Sequence, residues 1–144
     1  MMHLSYEQQI TLIKRLLKAL NVDENDASYL AVAPFIGVLG AFMSGSNTVS
    51  NMLFAPLQYE TAALVKLSPI VVLALQNIGG AAGNMICVNN VVAACATTGT
   101  MGHEGRIIKT NVVPCLIYCL IAILVLGGMI VAGVDPLGLV AAAG

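Results

Sequence analysis

The chain has 144 residues, of which 58% are hydrophobic and 9% are charged, with a formal net charge of −1. A soluble domain carries about 25% charged residues, so this composition predicts an integral membrane protein, as does the mean hydropathy of +0.90. The lack of net positive charge argues against a nucleic-acid partner.

The placement of the charges divides the chain. They fall within residues 3–26, 60–66 and 103–109 and at Asp135, and they leave three long uncharged stretches. Each stretch exceeds the roughly 20 residues that a membrane span requires. The expected fold is therefore all-α and integral to the membrane, with about three embedded segments after an N-terminal amphipathic helix.

The first predicted element is an amphipathic helix at 5–20, within an N-terminal region of residues 1–26 that ends in a polar linker. Ile10, Ile13 and Leu17 recur at helical spacing on one face. The basic side could face anionic lipid headgroups, or the apolar side could pack on another protein segment. The pattern leaves both open.

The transmembrane region is expected at 27–144 and begins with an apolar segment at 27–66. The 40 residues from 27 to 66 would be about 60 Å long as one helix, twice the roughly 30 Å of hydrocarbon. The segment therefore either spans and runs on, or enters, turns and leaves by the same face as a hairpin. Tyr29 is expected to anchor at the membrane interface.

An uncharged polar octet at 44–51 interrupts this first segment. Unpaired polar groups cost several kcal/mol each in lipid, so the octet is expected to line a cavity enclosed by protein. It is the main candidate for a substrate or ion site. The candidate residues within it are Ser44, Gly45, Ser46, Asn47, Thr48, Ser50 and Asn51.

The second segment, at 67–102, repeats this arrangement as a hairpin or as a broken helix. Its polar centre contributes Asn77, Gly83 and Asn84 as candidate site residues. Gly79 and Gly83 form a GxxxG motif, which is equally typical of close helix packing and of unwound backbone. Two glycine-interrupted apolar segments are the sequence pattern of a transporter site near the membrane midplane.

A connector precedes the last span, which is predicted as one transmembrane helix at 111–134. The connector holds His103 and Glu104, an adjacent titratable pair that could carry a coupled proton. The flanking Gly102 and Gly105 favour a solvated turn instead.

The sequence contains no enzyme motif, and neither a cofactor nor a metal site is expected. The candidate side chains are neutral hydroxyls and carboxamides, which can donate hydrogen bonds to a small anion or offer oxygens to a cation. The alternative for each residue alone is an interhelical hydrogen bond, worth about 0.6–2 kcal/mol.

Three motifs together resemble the L-lactate permeases. They are Phe-Ile-Gly-Val-Leu-Gly-Ala-Phe-Met-Ser-Gly-Ser-Asn-Thr-Val-Ser-Asn-Met-Leu-Phe at 35–54 with Gln58 following, Asn-Ile-Gly-Gly-Ala-Ala-Gly-Asn-Met-Ile at 77–86, and Gly-His-Glu-Gly at 102–105. The triplet at 46–48 is also similar to the hairpin-tip motif of divalent-anion/sodium symporters.

The resemblance implies uptake of lactate, and of glycolate, with a proton across a prokaryotic plasma membrane by a multi-pass protein. It implies that 44–51 and Asn84 belong to the substrate or ion region, although some family members carry Lys at the position of Asn84. A sodium-coupled carboxylate symporter is the alternative.

Family members are several times longer, and this chain resembles only their C-terminal part. The expected partner is therefore the missing N-terminal permease half. The chain is expected to be a fragment, a split-gene product, or a remnant of a truncated permease that acts as a non-transporting membrane subunit with only packing roles.

Overall fold

The computed structural model describes residues 28–134 and, before them, only residues 11, 15 and 18, which are helical and exposed. Apart from these three residues, the predicted helix at 5–20 lies outside the described residues. Asp135 also lies outside them. Residues 28–134 form helices and connecting turns without strands, which confirms the all-α prediction. The helices are α1 (Tyr29–Ser44), α2 (Asn47–Leu64), α3 (Pro69–Gly83), α4 (Val88–Thr98) and α5 (Glu104–Val131).

Two helical runs among the described residues are long and apolar enough to cross a membrane. One is Pro69–Thr98, which contains both α3 and α4, and the other is Glu104–Val131. Helix α1 is apolar but has only 16 residues. Length and composition thus agree with a membrane protein, since a span needs about 20 residues.

Helices α1 and α2 pair as an antiparallel hairpin. Tyr29, at the start of α1, hydrogen-bonds Gln58 late in α2, whereas Gly37 further along α1 bonds Ser50 near the start of α2. The turn is made by Gly45, which has a left-handed φ of 73°, and by Ser46. Only these two residues of the octet lie outside a helix, because Ser46 caps α2 and Asn47 already belongs to it.

Helices α1 and α3 lie side by side in the same direction, with their backbones in contact. A Cβ at Gly79 would overlap the Pro34 carbonyl, and one at Gly37 would overlap the Gln76 carbonyl. Helix α3 continues through Gly83. Of the two alternatives for the GxxxG motif, the structure therefore has close packing rather than unwound backbone.

Helix α5 runs antiparallel to the α3–α4 segment and contacts both helices. The Asn111 side chain donates to the Met85 carbonyl at 3.0 Å, in the interruption between α3 and α4. One turn further along α5, Cys115 packs on Ala82. The segment 67–102 is therefore a broken run along α5 and does not fold back on itself, since α4 makes no extended contact with α3 over 69–98.

The core is apolar and small, and its largest cluster lies at the base of the hairpin, opposite the Gly45 turn. Its buried members are Tyr29, Leu30, Ala33, Ala62, Val65, Val71, Val72 and Leu75. Tyr29 is part of this cluster and only 2% exposed, so the expectation that it anchors at the membrane interface is wrong: its ring packs inside, and its hydroxyl has a buried partner.

The outer face of α5 exposes a continuous series of large apolar side chains. Such a surface suits lipid or further protein, since a soluble monomer rarely exposes so much apolar surface in one place. The residues are Val113, Leu116, Ile117, Leu120, Ile121, Leu124 and Val125.

We predict that Gly79→Ala destabilises the bundle by about 1–3 kcal/mol, because the added methyl forces α1 and α3 apart. The matched control is Gly128→Ala in α5, where a Cβ meets nothing within 4 Å and alanine favours helix. Thermal unfolding in detergent, followed by circular dichroism, measures both. Equal unfolding temperatures for the two variants would contradict the packing described here.

Candidate functional site

The turn of the hairpin is held by its own side chains. Ser44 Oγ donates to the Gly40 carbonyl at 2.7 Å, and Gly45 N–H bonds the Ala41 carbonyl at 2.8 Å. Ser46 Oγ accepts from Val49 N–H at 3.3 Å and so caps α2, as serine does at a helix N-terminus. The hydroxyls of Ser44 and Ser46 therefore serve the turn, and the adjacent Thr48 is exposed.

Beside the turn, three carboxamides from two helices meet. Asn47 Nδ2 and Asn51 Nδ2 both donate to Asn77 Oδ1, at 3.0 and 2.7 Å. Asn47 and Asn51 are four residues apart on α2 and so share one face, while Asn77 lies midway along α3 and is exposed. Gly80 makes room for the group, since a Cβ there would overlap Asn47 Oδ1. Hereafter Asn47, Asn51 and Asn77 are the amide cluster.

One polar atom of the amide cluster has no hydrogen-bond partner. Asn51 Oδ1 is buried and unpaired, and an unpaired buried acceptor costs about 1–3 kcal/mol. The cluster therefore carries unused hydrogen-bonding capacity at a site without charged side chains.

A second contact joins the turn to the interruption between α3 and α4. Asn90 Nδ2 lies 3.3 Å from the Gly45 carbonyl and 3.4 Å from both the carbonyl and Oδ1 of Asn84. All three distances are long for a hydrogen bond, so the Asn90 side chain is only weakly held. Asn84 thus lies beside the hairpin tip, whereas Gly83 packs against Val38 in α1.

Ser50 lies apart from this open side of the site. Its hydroxyl is buried, donates to the Gly37 carbonyl at 2.9 Å and accepts from Gln76 Nε2 at 3.2 Å. Gln76 in turn accepts from Gln58. Sequence reasoning did not assign either glutamine to the site. The available signal was a carboxamide on an otherwise apolar helix face, which is costly to bury unless it is paired.

His103 and Glu104 are not brought to the amide cluster. Glu104 begins α5, seven residues before Asn111, which places it about 10 Å further along the helix axis. Gly102 N–H donates to Glu104 Oε1 at 3.0 Å. This bond and one from the backbone of Glu104 itself lower the pKa of the carboxyl, so Glu104 is ionised at neutral pH. The exposed His103 lies in a turn, the solvated arrangement that the glycines indicate.

The side chains at the tip are neutral hydroxyls and carboxamides, which offer hydrogen-bond donors and acceptors. The described residues contain no group of three or more His, Cys, Asp or Glu side chains that could hold a metal. The four cysteines are buried free thiols. The tip instead offers carboxamide N–H donors and one unpaired oxygen, a set suited to a small polar ligand.

We predict that Gly45→Ala costs about 1–2 kcal/mol of stability, because alanine is strained in the left-handed conformation. Gly99→Ala is the matched control: Gly99 has φ 68° at the end of α4, and a Cβ there meets nothing within 4 Å. Both variants should lose stability, but only Gly45→Ala should increase amide hydrogen exchange at 46–51. Identical exchange in the two variants would show that the turn does not hold the tip.

Comparison with known proteins gives a consistent result. A family model described as L-lactate permease matches residues 4–132. A Haemophilus influenzae protein whose name assigns it to the L-lactate permeases is 45% identical over 98 residues, which is 68% of this chain and 18% of that protein. The L-lactate permease of Salmonella typhi is 34% identical over 107 residues, 74% of this chain and 19% of the permease.

A relative with another named substrate also matches. The glycolate permease GlcA of Escherichia coli is 40% identical over 86 residues, covering 60% of this chain and 15% of the permease. The chain thus spans less than a fifth of the length of the curated relatives it matches. No solved structure matches it.

Proposed function

This chain belongs to the L-lactate permease family, and we propose that it forms part of a secondary transporter that takes up lactate or glycolate across a prokaryotic plasma membrane. The observation that carries the proposal is the amide cluster, which gathers neutral donors where the hairpin tip meets the interruption between α3 and α4. The relatives are longer than the region that this chain matches. In this proposal, the remaining parts of the site come from permease segments equivalent to the rest of the relatives' length.

The membrane arrangement that we propose has one hairpin and two crossings. The α1–α2 hairpin enters and leaves on one side, while α3–α4 crosses as a broken helix and α5 returns. Asn111 begins the uncharged stretch of α5 and bonds Met85 in the interruption, while Arg106 and Lys109 lie within two turns of it. Since charges avoid the hydrocarbon, this supports a tip near the connector side of the membrane rather than at the midplane.

The geometry of the amide cluster suggests how a carboxylate is held. Two N–H groups converge on one oxygen, Asn77 Oδ1, at 3.0 and 2.7 Å. A carboxylate oxygen can take that position when the exposed Asn77 side chain rotates away. In this proposal the protein presents Asn47 and Asn51 as a preformed pair of donors.

The lack of charged side chains among the candidate residues at the tip suits a carboxylate that travels with a monovalent cation, which we propose is a proton. A carboxylate that travels with a proton is neutral as a pair, so a site of carboxamides and hydroxyls never holds a net charge away from water, which would be costly. A sodium ion would be the alternative companion, held by oxygens such as Asn51 Oδ1.

The first test is a chimera in which the matched 107 residues of the Salmonella typhi permease are replaced by those of this chain. We expect lactate uptake in cells lacking their own lactate permeases, and loss of uptake after Ser46→Ala with Asn47→Ala. The control is Thr97→Ala, because Thr97 is exposed and bonds only within its own helix. Unchanged uptake in the double variant would contradict the site, and a correctly inserted but inactive chimera would favour the packing-only role.

A second prediction concerns charge. In Asn77→Asp the carboxylate still accepts from Asn47 and Asn51, so the cluster keeps its geometry, but it repels an anionic substrate by about 4 kcal/mol at 4 Å near a protein surface. We expect the KM for lactate to rise at least about tenfold. Thr97→Asp adds the same charge further along α4, at an exposed residue that bonds only within its own helix, as a control. Equal KM values in both variants would rule out carboxylate binding at Asn77.

The third prediction separates the coupling ions. Proteoliposomes of the chimera should accumulate lactate when the pH is lower outside than inside and choline replaces all sodium. Uptake that requires sodium and ignores the pH gradient would instead support the sodium-coupled alternative.

A further inference from the structure

A hydrogen-bonded chain runs through the interior of the hairpin from its base toward its tip. Tyr29 Oη donates to Gln58 Oε1 at 2.6 Å, Gln58 Nε2 to Gln76 Oε1 at 2.9 Å, and Gln76 Nε2 to Ser50 Oγ at 3.2 Å. Ser50 Oγ then donates to the Gly37 carbonyl at 2.9 Å. Every donor points the same way along the chain.

This chain of hydrogen bonds lies in a closed apolar interior. Gln58, Gln76 and Ser50 are 0% exposed, and the remaining donor capacity of Gln58 goes to the Ala33 carbonyl at 3.1 Å. Water cannot substitute for a lost partner at such a site, so each link leaves its neighbours unpaired if it breaks. Bonds aligned in one direction also polarise and strengthen each other.

This chain of hydrogen bonds fixes the rotation of three helices relative to one another. Tyr29 belongs to α1, Gln58 and Ser50 to α2, and Gln76 to α3. Because each donor meets an acceptor, turning any of the helices about its axis breaks at least one link. Apolar side chains of similar size could fill the same volume but would tolerate several rotations, since their contacts have no direction.

The bond between Gln76 and Ser50 lies next to the amide cluster in both α3 and α2. Gln76 directly precedes Asn77, and Ser50 directly precedes Asn51. Successive residues of a helix point about 100° apart, so turning Gln76 toward Ser50 also sets the directions of Asn77 and Asn51. The bond at 3.2 Å in the interior is therefore one residue away, in both helices, from the bond at 2.7 Å on the open side.

We propose that Gln76 and Ser50 are positioning residues, which hold α2 and α3 in the rotation that brings Asn51 and Asn47 onto Asn77. The expected effect on transport rests on the proposed function. The expected effect on helix rotation concerns only this protein. Neither residue touches the ligand. Their role is to keep the two donors convergent before the ligand arrives.

The test uses Gln76→Met, which keeps an unbranched side chain of similar length but cannot donate to Ser50 and accepts only weakly from Gln58. Ser50 keeps its bond to the Gly37 carbonyl, so α2 stays joined to α1. The rotation of α3 relative to α2 is then no longer fixed by a hydrogen bond between residue 76 and Ser50.

Two measurements compare each variant with the unsubstituted protein. In this protein in detergent, amide exchange at 47–51 should be about tenfold faster in Gln76→Met. In the chimeric permease, its KM for lactate should rise about tenfold, with a smaller change in kcat.

Two further variants keep the outcome decisive. Ser50→Ala removes the same link from the α2 side without adding volume, so it should raise amide exchange and KM as Gln76→Met does. Leu126→Ala removes apolar packing of α5 on the cluster at the hairpin base. Because α5 contributes no residue to the chain of hydrogen bonds, this variant should lower thermal stability and leave KM unchanged.

Unchanged KM in both Gln76→Met and Ser50→Ala would overturn the inference, as would a KM rise in Leu126→Ala equal to that in Ser50→Ala. If the unsubstituted chimera takes up no lactate, the proposed function fails, and the exchange measurement on this chain still decides the positioning role.

Discussion

The close approach of α1 and α3 is the constraint on which the rest of the structure depends. Gly37 and Gly79 bring the two backbones into direct contact, since any Cβ there would overlap a carbonyl of the other helix. At this separation no water fits between the helices. Every polar group that the packing encloses must therefore find its partner within the protein, and Gln58, Gln76 and Ser50 do so with one another.

The bundle has a buried line of polar side chains beside its apolar core, and it exposes large apolar side chains to an extent that is rare in a soluble domain. Helix α5 exposes large aliphatic side chains along its length, whereas the carboxamides gather inside the hairpin and at its tip. This distribution suits a protein that handles a polar solute in an apolar surrounding, because polar groups in lipid must be enclosed. Neutral carboxamides serve that purpose at lower desolvation cost than charged groups.

Sequence reasoning identified the tip but not the residues that support it. The octet at 44–51 and Asn77 were recognisable because uncharged polar residues interrupt apolar segments, a pattern visible within short windows. Gln58 and Gln76 were missed as members of the site because the partner of each lies on another helix, 18 residues away in sequence. Tyr29 was misplaced at the interface for the same reason, since its partner Gln58 lies 29 residues away.

By itself, the sequence determined the helical class, the apolar segments, the polar residues that interrupt them and the family, because these follow from local composition, periodicity and motifs. Only the tertiary structure decided that 44–51 breaks at Gly45 and Ser46 alone, that Gly79 packs instead of unwinding, and that Asn47 and Asn51 converge on Asn77. The physical reason is that these outcomes depend on the distance and rotation between helices. Contacts between residues far apart in the chain set both.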